Sequence, residues 1–132
     1  MANGYNQYKS LQVATASRED LVPMLYDGAR RFTDLAKLAL QARQYEQVAV
    51  NVGKAQRILT ELSLGLNFEA GGDLARNLEK LYEYWSWRLG QGLVNRDAEC
   101  FEEVSTVLSD MHGAWVEAAK QVRASRSSVA HG

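Results

Sequence analysis

Apolar residues recur at three- and four-residue spacing through four stretches of this sequence, and short breaks separate them. That pattern constrains the fold more than any other feature, because a helix turns positions three and four apart to one side. The first stripe is Leu21, Leu25, Gly28, Phe32, Leu35 and Ala39. The second is Val48, Val52, Ala55, Leu59, Leu62 and Leu66, with Ile58 beside it. The third is Leu74, Leu78, Leu81, Trp85 and Leu89, and the fourth is Phe101, Val104, Leu108, Met111, Trp115, Ala118 and Val122. No segment sustains the alternation of a strand. Helices of about 20–25 residues span roughly 30–37 Å, and short joins make sequence neighbours antiparallel. The expected fold is all-α, an antiparallel up-down four-helix bundle.

Punctuation places the helix ends. Ser17-Arg18-Glu19-Asp20 reads as a capping box at the start of the first helix. Pro23 lies deeper than proline is readily tolerated, so regular helix is expected only from near Asp20. Arg43-Gln44-Tyr45 is a short turn, and Asn95-Arg96-Asp97 supplies turn and cap chemistry. The stretch from Asn67 to Gly72 holds the strongest break, so the third helix is expected from Asp73. Lys120, Arg123 and Arg126 suit the C-terminal end of the fourth helix. Residues 1–16 are polar with scattered Tyr5, Tyr8, Leu11 and Val13, and read as a loosely held N-terminal arm. The bundle is expected over 17–124 and a flexible tail over 125–132.

Composition removes whole classes of function. With 132 residues, 46% of them hydrophobic, the chain is one domain able to bury a core. A net charge of −1 argues against nucleic acid as the main partner. No apolar run approaches the ~18 residues of a membrane span, and MANGYNQYKSLQ has no apolar stretch of about 7–15 residues, so no secretory signal is expected. The single cysteine, Cys100, suits a reducing compartment. A cytoplasmic location is expected.

The chemistry of catalysis and metal binding is missing. Di-iron bundles need Glu-x-x-His pairs, whereas Ser109 precedes His112 by three residues and Ser128 precedes His131 by three. Cys100 and His112 lie twelve apart on one helix, too far to share an ion. No Gly-x-Ser-x-Gly elbow occurs. Gly71-Gly72 is followed by Asp73 and no Gly-Lys-Ser/Thr, so it reads as a turn and not a phosphate cradle. Glu102-Glu103 and the Glu79/Glu83 pair fall on solvated faces. No catalytic residue, metal or cofactor is expected.

Binding has a better footing. YEYWSW packs Tyr82, Tyr84, Trp85 and Trp87 into six residues, and no helix turns all four rings inward. If Tyr82 and Trp85 face the core, Tyr84 and Trp87 point elsewhere together. The first helix is apolar over a wide arc, with Met24 and Leu38 on one flank and Val22, Tyr26, Ala29, Ala36 and Leu40 on the other. Periodicity leaves two readings open: thorough burial inside the bundle, or apolar grooves that accept another amphipathic helix.

Ala14-Thr15-Ala16-Ser17, then Leu21, then Met24-Leu25-Tyr26-Asp27-Gly28-Ala29 resembles the signature of the FliS family of flagellar export chaperones. Lys54-Ala55-Gln56, Glu61-Leu62, Gly71-Gly72, Asn77-Leu78, Leu81-Tyr82, Tyr84, Arg88-Leu89, Glu103-Val104 and Ala114-Trp115 follow in the family's order. The likeness runs from residue 8 to about residue 118. Arg18 replaces the family's proline, Trp87 stands where arginine is more usual, and Gln7 replaces the alanine before Tyr8.

The resemblance implies a cytoplasmic chaperone that binds the disordered C-terminal segment of flagellin. It would prevent premature polymerisation and assist flagellar type III export, in company with an export-gate component and a co-chaperone. The residues expected to meet the client are Tyr8 and Leu11 on the arm, Met24, Tyr26, Asp27 and Leu38 on the first helix, and Tyr84 and Trp87 on the third. The arm is expected to occupy the client's groove when the chaperone is empty. Such a groove also leaves self-association open. The rival readings are an enzyme or metalloprotein on the same scaffold, and an adaptor for a different helical client.

Overall fold

A computed structural model describes residues 18–131, with side chains described for residues 20–128. The arm of residues 1–16 and the Ser17 cap lie outside the described residues. The described chain is helical apart from its connections: α1 Arg18–Gln41, α2 Tyr45–Leu64, α3 Phe68–Asn95 and α4 Ala98–His131. Helix α1 packs against α2 and α4, and α3 packs against the same two from the opposite side. Lys37–Glu102 lies near one end of the α1/α4 seam and Asp20–Arg123 near the other, so these helices run antiparallel. The antiparallel four-helix bundle is therefore the fold, as the stripes predict.

The connections are short and follow their local chemistry. Arg43 and Arg96 take left-handed backbone, with φ of 58° and 52°, and each reverses the chain. After Arg96, the Asp97 N–H donates to the Gly92 carbonyl at 3.0 Å, and the Asp97 carboxylate accepts the Glu99 N–H at 3.0 Å, opening α4. Asn67 caps α3 by accepting the Ala70 N–H at 3.0 Å. The helix therefore begins at Phe68 and not at Asp73, and the break is confined to Gly72, whose φ of 50° kinks it. Only glycine adopts that conformation without strain. Pro23 sits inside α1, which starts at Arg18 and so ahead of the expected Asp20. Helix α4 continues to His131, through the segment expected as a tail.

The core confirms the second stripe as far as Leu62, with Leu66 half-buried beyond the helix, and corrects the others in part. Val48, Val52, Ala55, Ile58, Leu59 and Leu62 are buried on α2. On α1 the fully buried face is Tyr26, Ala29, Thr33 and Ala36, one flank of the expected stripe, while Leu35 is exposed. Small side chains explain the rotation: they let α1 sit close to two neighbours at once, a fit that leucines would hold open. On α3 the inward residues are Ala75, Leu78, Tyr82, Trp85 and Leu89, and Leu74 and Leu81 are exposed. On α4 Phe101, Val104 and Leu108 are buried, and Ala119 replaces Ala118 in the inward row. The α3/α4 join is tight, since a Cβ on Gly92 would lie 2.8 Å from the Phe101 ring.

Candidate functional site

The aromatic hexapeptide divides as a helical period demands. Tyr82 and Trp85 are each 3% exposed, whereas Tyr84 is 43% and Trp87 56% exposed. Inside, the Tyr26 and Tyr82 hydroxyls share a hydrogen bond of 2.7 Å across the bundle centre, tying α1 to α3. The Tyr26 ring stacks on Trp115 with centroids 6.3 Å apart. Burial pushes both phenols above their ordinary range. Outside, the Tyr84 and Trp87 rings touch with centroids 5.9 Å apart.

Two cavities open along the seam of α2 and α3, and Tyr82 lines both. The outer groove, of about 530 Å³, runs between Leu59, Thr60, Ser63 and Leu64 of α2 and Trp87, Gly90, Gln91 and Val94 of α3. Gln56 ties its walls together by donating to the Ser86 carbonyl at 3.0 Å. Leu64 and Val94, on opposite walls, are 80% and 76% exposed. Large apolar side chains so bare, facing one furrow, are the kind of surface that marks an interaction site. The second cavity, of about 500 Å³, lies at the bundle end where Leu21, Val22 and Leu25 of α1 meet Leu62, Leu66, Leu74, Leu78 and Trp115.

The sequence-predicted residues scatter over this geometry. Trp87 lines the outer groove, and Tyr84 supports it. Tyr26 is fully buried and offers no surface to a partner; its hydroxyl is spent on Tyr82, which walls both cavities. Asp27 pairs with Arg30 at 2.7 Å along α1. Leu38 is 59% exposed and Met24 half-buried, and neither lines either of these two cavities. Tyr8 and Leu11 lie outside the described residues. Sequence reasoning missed Leu64 and Val94. The available signal was that both stand off the inward stripes of their helices.

Electrostatics fastens the aromatic pair. Glu103 of α4 accepts the Tyr84 hydroxyl at 2.7 Å and the Arg88 Nε at 2.9 Å. Those two hydrogen bonds hold the Glu103 carboxylate below the usual range, the Tyr84 contribution being the larger. Cys100 is buried and its thiol is pushed up by desolvation. Among the described residues no three His, Cys, Asp or Glu side chains gather where they could hold a metal ion, and no helix is long and apolar enough to cross a membrane.

Fold and site together define a helical bundle in which the bare Leu64, Trp87 and Val94 line one furrow and the exposed Leu74 lines a second. The family profile of flagellar protein FliS matches residues 1–122. The flagellar secretion chaperone FliS of Salmonella typhimurium is 35% identical over 119 residues, covering 86% of this chain and 88% of the relative. Its namesake in Bacillus subtilis is 32% identical over 124 residues, covering 94% and 92%. The flagellar secretion chaperone FliSB of Pseudomonas aeruginosa is 33% identical over 104 residues, covering 79% and 82%. The chain belongs to the FliS family.

Proposed function

We propose that this protein is a cytoplasmic export chaperone that shelters the C-terminal segment of flagellin, keeps it from polymerising early and assists its flagellar type III export. The observation that carries this reading is the outer groove, where Leu64, Trp87 and Val94 stand bare on facing helices. An amphipathic client helix buries its apolar side there by the helix-in-groove mode. Ordering a disordered segment costs about 1–2 kcal/mol per residue in backbone entropy. A long contact is therefore needed, and the second cavity extends the available apolar surface to the bundle end. Names of the relatives support the class of task, and the groove supports the class of client.

Titration calorimetry with a flagellin C-terminal peptide tests the proposal. Binding with a strongly negative heat-capacity change is expected, since apolar surface leaves water. Trp87→Ala is expected to weaken it at least about tenfold, or about 1.4 kcal/mol. No binding at tens of micromolar in titrations at several temperatures would remove the reading.

A further inference from the structure

We propose that Glu103 is a positioning residue: from α4 it fixes Tyr84, and through Tyr84 it presets the Trp87 indole as the outer rim of the α2/α3 groove. The assignment deepens the chaperone reading and rests on it for the identity of the client.

Trp87 is more than half exposed, and an indole so placed on a helix ordinarily samples several rotamers. One side of this ring meets Tyr84, one helical turn earlier. Tyr84 is itself exposed, yet its hydroxyl is not free. It donates 2.7 Å to one oxygen of Glu103, while Arg88 Nε donates 2.9 Å to the other oxygen of the same carboxylate. A carboxylate held by two donors from α3 has little freedom to turn, and a phenol tied at its far end holds its ring plane. The chain of contacts therefore runs from α4, through a charge-assisted hydrogen bond, to a ring that braces the indole. Rigid aromatic anchors bind with less loss of side-chain freedom than mobile ones. Neighbouring Glu102 points away from this cluster and pairs with Lys37 of α1 at 2.9 Å, which makes it a matched control.

Two readouts test the assignment. In the free protein, acrylamide quenching of tryptophan fluorescence reports how openly Trp87 is held, with Trp87→Phe as the blank for Trp85 and Trp115. Glu103→Ala and Tyr84→Phe are each expected to raise the quenched fraction, Glu103→Gln to raise it less, and Glu102→Gln to leave it unchanged. With the flagellin C-terminal peptide, Glu103→Ala and Tyr84→Phe are each expected to weaken binding about three- to tenfold while lowering the melting temperature only slightly. Their combination should lose no more than either alone, and neither should matter once Trp87 is alanine. A quenched fraction unmoved by Glu103→Ala would overturn the assignment. So would an undiminished loss of peptide affinity in the Trp87→Ala background, because Glu103 would then act by another route. If the quenching responds and the unaltered protein binds no peptide, the flagellin reading fails and the positioning of Trp87 stands.

Discussion

Helices α1 and α3 face each other across the bundle and share the same two neighbours, yet their seams differ in kind. Helix α1 presents Ala29, Thr33 and Ala36, all fully buried, and its flanks are closed by Lys37–Glu102, by Asp34 accepting the Ser105 hydroxyl and by Lys54 over the Phe32 ring at 5.3 Å. Helix α3 presents bulkier rings, meets α2 along an open furrow, and leaves Leu81, Trp87 and Val94 in water. Small side chains make a tight seam, and mismatched large ones leave room. The lesson is a contrast of seams: the small residues of α1 close it tightly on its neighbours, and α3 leaves an apolar furrow open against α2.

The largest effect that bears on this division comes from the core. Phe101→Ala is expected to cost about 3–5 kcal/mol of stability, whereas Trp87→Ala should stay within about 0.5 kcal/mol. Paired urea melts check it, and equal losses would erase the distinction between packing and surface. A sharper version lies within α3 alone. Gly92→Ala places its methyl 2.8 Å from the Phe101 ring, and about 1–3 kcal/mol of destabilisation is expected. Gly90→Ala meets only the flexible Gln56 end at 3.7 Å, and should stabilise the helix by up to about 1 kcal/mol. Opposite signs in thermal melts, two residues apart, would separate the closed α3/α4 seam from the open α2/α3 one.

The smallest effect is electrostatic. The carboxylate of Glu103 titrates below its unfolded value, so its contribution is fully present above the ordinary glutamate pKa of about 4.3 and is lost as pH falls through the lower folded value. The side chain is 42% exposed, so the contribution is small. The stability difference between the unaltered chain and Glu103→Gln should be flat at neutral pH and shrink only on acidification below about pH 4.3. A difference that grows as the pH falls would contradict the lowered titration.

How much of this was legible in the sequence differs helix by helix. Helix α2 reads correctly because every apolar position of its stripe from Val48 to Leu62 is buried, and the exposed Tyr45, Val50 and Leu64 stand off that stripe. Helix α1 misleads because the expected stripe centres on Leu25, Phe32 and Leu35, whereas the face the close seams select is the flank of Ala29, Thr33 and Ala36. Helix α3 misleads at Leu74 and Leu81 because Tyr82 takes the inward place, held there by the Tyr26 hydroxyl, a contact 56 residues away that no local pattern shows. Of the candidate site, periodicity made legible the two rings that it forces outward, Tyr84 and Trp87. The site was not legible where two helices must meet to make a furrow, as at Leu64 and Val94.

The central claim is that a client lies along the α2/α3 furrow and leaves the outer face of α1 bare. A photoreactive benzophenone side chain introduced in turn at Trp87, Val94 and Leu38 and irradiated with a flagellin C-terminal peptide tests this directly. Cross-links at positions 87 and 94, with none at 38, are the predicted result. Capture at 38 with silence at 87 and 94 would place the visitor on α1 and contradict the account.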